Sequence, residues 1–437
     1  MIVVGGGFAG CEAAWSAARR GVRVRLYEMR PHRMTPAHKT GDLAELVCSN
    51  SFKSRLPTTP TGLLKEEMAA LGSIVIENAI ESAVPGGEAL AVDRVEFAQR
   101  VTRAIAAEPN IEVIREPFTP DMADSALRAG ETVVIATGPL TTEELSRWLA
   151  EKTGLEHLHF FDAVSPTVEA DTIDRSIAFA ASRYGKGGDD YLNCPMTKEE
   201  YEAFVHALVT AERVPLHEFE ENTPYFAGCM PIEAIAEKGA ESLRFGNFKP
   251  VGLTDPRTGR RPYAVVQLRP ENADKTLYSM VACQTRLKWG EQRRVLRMIP
   301  GLAEAEFVRL GVIHRNTYVN APRALDEWLR VKGAGPLYLA GQITGVEGYL
   351  ESAATGVVVG MIVAAQQQGR QPSLPPRESA LGSLLSHLSD QTPRDFAPMN
   401  SNWGLFPELS SPLRNKGDRR AAQLALARER FAEWLAA

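Results

Sequence analysis

Two kinds of residue in this chain have types and spacings that could do chemistry: its thiols and its closely spaced glycines. Cysteines stand at 11, 48, 194, 229 and 283. Their odd number and the absence of any CxxC pair argue against a disulfide framework or a structural zinc, which leaves buried thiols or reactive ones. Cys48 lies in Ala44-Glu45-Leu46-Val47-Cys48-Ser49-Asn50-Ser51-Phe52-Lys53-Ser54, among small polar groups that tolerate a thiolate better than hydrocarbon does. On those residues alone it is either a reactive thiol or an inert buried one. Cys229 lies in Tyr225-Phe226-Ala227-Gly228-Cys229-Met230-Pro231-Ile232-Glu233, where Gly228 and Pro231 imply a bent, accessible backbone. Cys11 reads as a packing residue, and structural roles are favoured for Cys194 and Cys283.

The glycines point to an anion. Met1-Ile2-Val3-Val4 reads as a buried strand, Gly5-Gly6-Gly7-Phe8-Ala9-Gly10 as a turn, and the residues from Cys11 as a small-residue helix. Gly5 allows the tight turn, Gly7 lets backbone approach a pyrophosphate, and Gly10 lets the helix pack closely. The helix N-terminus then offers unpaired N–H groups to the phosphates. A second strand, Val22 to Tyr27, ends in Glu28, 18 residues after Gly10. That is near the spacing of about twenty expected of a ribose-binding carboxylate. Glycines alone would fit an ordinary tight turn; strand, helix and distal carboxylate together fit a dinucleotide site.

Those elements must be positioned by the rest of the chain. Gly62 to Leu71 and Val95 to Ala106 read as helices, and Ile74-Val75-Ile76 and Ile111 to Ile114 as strands. The cation-rich, proline-broken segment Met29 to Thr40 reads as a loop near the cofactor, too charged to be core. Glu131 to Gly138 is a buried strand ending in the Ala136-Thr137-Gly138 turn. From 139 to 310 polar turns take over and no second glycine fingerprint occurs, so this part reads as an inserted mixed α+β domain, with a strand at Tyr263 to Leu268 and a helix from Lys198 to Ala211. Nucleotide-binding character then returns with the strand Leu337 to Gly341, the turn Gln342-Ile343-Thr344-Gly345-Val346-Glu347-Gly348-Tyr349, and a helix from Leu350 to Gln367. The small residues Ala353, Ala354, Gly356 and Gly360 on that helix suit close packing on the sheet. Pro372, Pro375 and Pro376 mark a boundary before a helical tail whose last helix, Asp418 to Leu435, carries Arg419, Arg420, Arg428 and Arg430. The expected fold class is α/β: a Rossmann-like unit of the two-dinucleotide-binding type in two parts, 1–138 and 311–370, interrupted by the insertion 139–310 and followed by the tail 371–437.

At 437 residues and 44% hydrophobic content the chain can fill two or three cores. The longest apolar run, Gly356 to Ala365, is short for a membrane span, and the expected location is cytoplasmic. A net charge of −5 means that any nucleic-acid partner must be held by local patches. The best patch runs from Cys283 to Arg297: Arg286, Lys288, Arg293, Arg294 and Arg297 interleave with Trp289, which suits a phosphate backbone and a stacked base. A solvated helix face would look the same.

The motifs Gly5-Gly6-Gly7-Phe8-Ala9-Gly10, Cys48-Ser49-Asn50-Ser51, Cys194-Pro195-Met196-Thr197, Phe226 to Glu233 and Leu339 to Tyr349, spread over nearly the whole chain, resemble those of the bacterial folate- and FAD-dependent tRNA (uracil-5-)-methyltransferases. Gly228-Cys229-Met230-Pro231-Ile232-Glu233 is specific to that family. The Ala340-Gly341-Gln342-Ile343 motif is shared with a related flavoprotein that modifies wobble uridines. The resemblance implies 5-methyluridine formation at position 54 of the tRNA T loop, with carbon from methylenetetrahydrofolate, hydride from reduced FAD and NAD(P)H as external reductant. It implies Cys229 as the nucleophile that adds to uracil carbon 6 and Cys48 as general base for the carbon 5 proton. It implies FAD contacts by Gly5, Gly6, Gly7, Phe8, Ala9, Gly10, Glu28, Thr137, Gly138, Gly341, Gln342, Gly345, Glu347, Gly348 and Tyr349, and no metal. The expected partners are tRNA and tetrahydrofolate, with no membrane and no obligatory protein partner. Two other readings stand beside it: the wobble-uridine flavoprotein, and a tRNA-binding module whose flavin is structural.

Overall fold

The computed structural model describes residues 1–155, 158–163, 165–185, 188–214, 230–272, 274–311, 313–389, 396, 398–410, 413 and 415–437, with backbone alone for 158–163 and 313–316. Five parallel strands form one sheet in the order Leu337–Leu339, Val133–Ile135, Ile2–Val4, Val24–Tyr27, Ile111–Ile114. Of the three central strands, Val133–Ile135 and Ile2–Val4 are wholly apolar runs because helices cover the sheet there, while Val24–Tyr27 keeps one polar residue, Arg25. The chain winds outward from Ile2–Val4 in one direction, then returns to that strand's other side, so the carboxyl end of Ile2–Val4 is a switch point where ligands bind in such sheets.

Helix Phe8–Ala18 leaves that point and lies against helix Tyr349–Gln367. A Cβ on Gly356 would stand 2.2 Å from the Ala9 carbonyl oxygen, and one on Gly360 2.6 Å from that of Ala13. The small residues of this helix therefore serve helix-on-helix contact, not the helix-on-sheet contact expected from the sequence. Tyr349–Gln367 is long and apolar enough to cross a bilayer, but 78% of its apolar window is buried inside the protein, as befits a core helix.

A second sheet of six antiparallel strands runs in the order Phe179–Ala180, Leu192–Met196, Ala264–Pro270, Leu277–Met280, Thr167–Glu169, Phe307–Arg309. With helices Lys198–Thr210 and Trp289–Leu296 it encloses its own apolar core, from Val168 to Ala305. The chain leaves the first core and comes back to it along one antiparallel ribbon, Leu158–Ala163 against Ile313–Tyr318. Side-chain bonds tie the two bodies together: Asp190 accepts from the Gly87 amide at 2.7 Å, and Tyr191 donates to the Gly86 carbonyl at 2.9 Å.

Two local expectations fail for physical reasons. Ile74-Val75-Ile76 opens a helix, Ile74–Glu81, instead of forming a strand. Ser73 caps the Ile76 amide and the buried Glu12 carboxylate accepts from Val75, so anchored caps override the β-branched propensity. Arg30, expected in a charged loop outside the core, is only 2% exposed, because Glu28 and Glu45 both pair with its guanidinium.

At the far end, the Glu67 carboxylate accepts from the Ala380 and Leu381 amides at 2.8 Å each and so caps helix Ala380–Ser389. Arg428 of helix Lys416–Ala436 pairs with Glu66, which docks the tail on helix Pro60–Ala70.

Candidate active site

Outside the carboxyl ends of the parallel strands lies a cavity of about 510 Å³. Its wall includes Gly5, Gly6, Gly7, Phe8, Ala9, Glu28, Thr137, Gly138, Gly341, Gln342 and Tyr349, so four separate stretches expected to hold a cofactor converge on one space. A Cβ on Gly7 or on Gly138 would meet nothing within 4 Å, whereas one on Gly5 would stand 2.7 Å from the Ala136 carbonyl oxygen. Gly5 has φ +102°, a conformation that glycine adopts freely. The cradle is thus tight behind and open in front. With the N-termini of helices Phe8–Ala18 and Tyr349–Gln367 at its wall, it fits an anionic dinucleotide such as FAD.

Four expected contacts do not line the cavity. A Cβ on Gly10 would lie 1.8 Å from the Gly5 carbonyl oxygen, so Gly10 seats the helix against the turn. Gly345 lies under the Phe396 ring, and Gly348 caps helix Tyr349–Gln367. Glu347 acts one step removed, accepting at 2.9 Å from the Gln342 amide that does reach the wall.

Glu28 stands at the cavity edge, but its oxygens are already engaged. Oε2 accepts from the Gly6 amide at 2.8 Å, and Oε1 accepts from the Arg30 amide and Nε at 2.9 Å each. Burial pushes this carboxyl up, yet the Arg30 guanidinium and the two amides outweigh it and hold Glu28 below the ordinary range.

Beside the cavity sits Cys48. Its Sγ accepts from the Tyr349 hydroxyl at 3.0 Å, while its own amide donates to the same oxygen at 2.7 Å. The Tyr349 ring stacks on Phe8 with centroids 4.6 Å apart, so one side chain joins the thiol to the cradle. Burial, together with the adjoining thiol, raises the Tyr349 phenol well above its usual value and keeps the hydroxyl protonated. Arg94 donates to the Cys48 carbonyl at 3.0 Å and Arg309 to the same oxygen at 3.3 Å. Glu271 forms an ion pair with Arg94, and Arg269 donates to Asn50 at 3.0 Å. Arg94, Arg269, Glu271 and Arg309 carry no motif. They come from both bodies, and only the three-dimensional fold brings them to Cys48.

The other thiols contrast with it. Cys11, Cys194 and Cys283 are 0% exposed. Burial pushes Cys194 up to about 12 and raises Cys11 and Cys283 further. They are packing thiols. Cys229 lies outside the described residues. The chain just beyond it is pinned: the Ile232 amide donates to the Gln284 carbonyl at 2.8 Å, and the buried Glu233 carboxylate accepts from Thr285 Oγ1 at 2.9 Å and the Arg286 amide at 2.7 Å.

The basic segment is less naked than its composition suggests. Lys288 pairs with Glu212, Arg294 with Glu291 and Arg297 with Glu306. Arg286 is half-buried, while Arg293 is exposed beside Trp289, itself 62% exposed. In the tail, Arg428 and Arg430 are likewise paired, with Glu66 and Glu433.

A dinucleotide cradle on a parallel sheet, interrupted by a second body that closes over a polarised thiol, defines the class, and comparison with known proteins narrows it. The family model described as Glucose inhibited division protein A matches residues 1–371. A protein of Moorella thermoacetica named methylenetetrahydrofolate–tRNA-(uracil-5-)-methyltransferase TrmFO is 55% identical over 429 residues, covering 98% of this chain and 97% of its own. One of the same name from Geobacter sulfurreducens is 52% identical over 438 residues, covering 100% and 99%. The solved GidA structure of Aquifex aeolicus in its form II crystal shares the fold at TM-score 0.67 and 17% identity, over 99% of this chain and 73% of that one. The chain belongs to the GidA family and, within it, to the TrmFO methyltransferases.

Proposed function

We propose that this chain methylates carbon 5 of uridine 54 in the tRNA T loop with the one-carbon unit of methylenetetrahydrofolate. The relatives' shared name supports the substrates and the bond formed. The observation that carries the reading to this chain's own residues is the Cys48 thiol, held on Tyr349 at the edge of the dinucleotide cradle. When bound, reduced FAD supplies the hydride that takes the one-carbon unit from the formaldehyde level to methyl. Gly5 to Ala9, Thr137-Gly138 and Gly341-Gln342 would hold it, the open positions at Gly7 and Gly138 leaving room for its phosphates.

The protein's groups carry the rest. Carbon 5 of uracil is a poor nucleophile until something adds at carbon 6, and the Cys229 thiolate forms that bond. Carbon 5 then bonds to the methylene carbon, Cys48 takes the carbon 5 proton, and the bond from the methylene carbon to the nitrogen that carried it breaks, that nitrogen leaving with the electron pair. The exocyclic methylene so formed takes up the hydride to become methyl, and departure of the Cys229 thiolate from carbon 6 restores the ring. NAD(P)H is the external reductant. The tRNA backbone lies along the second body, with Arg293 foremost at the phosphates, the exposed Trp289 beside it for a stacked base, and Arg286, Lys288, Arg294 and Arg297 adding to the field. The domain limits 1–138, 139–310, 311–370 and 371–437 and a cytoplasmic location belong to the same reading.

The test is transfer of label from methylenetetrahydrofolate to 5-methyluridine in a T-loop transcript, with wild-type and Cys229→Ala proteins. The variant is expected to keep its flavin and lose transfer; normal turnover by it would overturn the role of Cys229, and no label with wild type would overturn the function.

A further inference from the structure

The carbonyl of Cys48 is held from two directions. Arg94, on the first turn of helix Arg94–Ala107 in the first body, donates through Nη1 to the Leu46 carbonyl at 2.8 Å and through Nη2 to the Cys48 carbonyl at 3.0 Å. Arg309, at the end of strand Phe307–Arg309 in the second body, donates to the same Cys48 carbonyl at 3.3 Å and to Thr167 Oγ1 at 2.9 Å. Glu271 lies between them, paired with Arg94 and 3.7 Å from Arg309. It is only 4% exposed. Arg269 completes the group, its Nε on Asn50, whose own amide bonds Val92 and Pro270 carbonyls and so stitches the Cys48 loop to the second sheet.

Three guanidinium groups therefore interact electrostatically with Cys48, one carboxylate, Glu271, lies among those guanidiniums, and the Tyr349 hydroxyl is on the sulfur. The charges on the thiol's own loop are occupied elsewhere, Glu45 on Arg30 and Lys53 on Glu351. Burial opposes the charge on both members of the Arg94–Glu271 pair, but each partner outweighs it, leaving Glu271 below and Arg94 above the ordinary values. Such a pair persists as ions, and removing one member leaves the other uncompensated.

A base made of sulfur needs a balanced field. Cations make the thiolate easier to form but weaker as a proton acceptor, and a carboxylate among them restores basicity. We infer that Arg94, Arg309 and Glu271 are a positioning set for Cys48, the arginines fixing its loop across the two bodies and Glu271 offsetting their charge so that the thiolate stays basic enough to take the carbon 5 proton. This rests on the proposed role of Cys48, but its test reads the thiol directly.

The experiment uses full-length, FAD-loaded protein carrying Cys229→Ser; with Cys11, Cys194 and Cys283 0% exposed, this leaves Cys48 as the thiol for iodoacetamide. The rate of Cys48 alkylation, located by peptide mapping, is followed against pH. A charge change in a buried cluster of this kind moves a titration by about one unit or more, so Glu271→Gln is expected to lower the midpoint by about one unit, Glu271→Asp to restore it, and Arg309→Gln to raise it by a similar amount. Arg309 is on an edge strand and partly exposed, so its variant tests the sign even where Glu271→Gln folds poorly. Both signs are required; unchanged or reversed midpoints overturn the inference. Normal turnover by Cys48→Ala would overturn the base assignment while leaving the alkylation result standing.

Discussion

Around the dinucleotide cavity, backbone does the shaping: Gly5 turns against Ala136, Gly10 against Gly5, and Gly7 and Gly138 face open space. Around Cys48, side chains do it: Arg94, Arg309 and Tyr349 reach the loop from three elements, and Glu271 pairs with the first of them. A site of backbone tolerates no added atoms at its closed positions, Gly5 and Gly10, but needs no charge balance. A site of buried ions tolerates isosteric change but fails when charge is altered. The two regions should therefore break in different ways.

The largest effect is expected at the cradle. Gly10→Val must push backbone, since its first added carbon would lie 1.8 Å from the Gly5 carbonyl oxygen. The purified variant should be colourless, with FAD retention down by a factor of at least about 100, a loss of the order of one severely strained backbone site. A yellow protein of normal affinity would sink the assignment of that turn. Next comes the thiol. If Cys48 is the base, Cys48→Ala should lower turnover by about 10²- to 10⁴-fold while the flavin stays bound. Cys194→Ala, deep in the second core, should leave turnover near wild type and cost only about 1 kcal/mol in urea unfolding. Equal kinetic effects of the two would erase the distinction between a reactive thiol and a packing one.

Smaller effects are expected from pH. Glu12 and Glu67 are raised to about 7 by burial, against amides and a hydroxyl that pull them down. A carboxyl whose folded value is raised contributes stability that is complete below its unfolded value and is lost as pH rises through about 7. Lys65, lowered to about 7 by burial, acts oppositely: its contribution is present above the ordinary lysine value and is lost as pH falls through about 7. The urea midpoint should accordingly fall between pH 5 and pH 7, and Glu67→Gln should flatten that fall; an unaltered slope in the variant would exclude Glu67 as its source. The smallest effect is expected on the basic helix. Arg293→Ala should reduce the salt slope of tRNA binding by nearly one unit for each phosphate that it no longer neutralises. Arg294→Ala should do less, because Glu291 already neutralises that guanidinium. Equal slopes would show that the pairing opens on binding.

What the sequence makes legible follows the same division. Gly5 to Gly10, Glu28, Thr137-Gly138 and Gly341 are readable because strand–turn–helix geometry dictates residue types at fixed short spacings. Cys48 and Tyr349 meet across 301 positions, and nothing in either's neighbourhood announces the other. Arg30 looks like surface until Glu28 and Glu45 are seen around it. Ile74 to Ile76 carries strand propensity that Ser73 and Glu12 overrule. Propensity and spacing are local quantities, whereas charge pairing and caps from distant residues are decided by the fold.

The interlock of Gly356 and Gly360 with the carbonyls of Ala9 and Ala13 has a consequence for biosynthesis. Helix Phe8–Ala18 finds Ser73 and Val75 early, through Glu12, but the contacts that Gly356 and Gly360 make wait for a segment more than 340 residues further on. Closing so large a loop is a late and slow event. Half of the nucleotide cavity is therefore made long before the other half joins it, and its wall is complete only when Gly341 to Ser352 have followed.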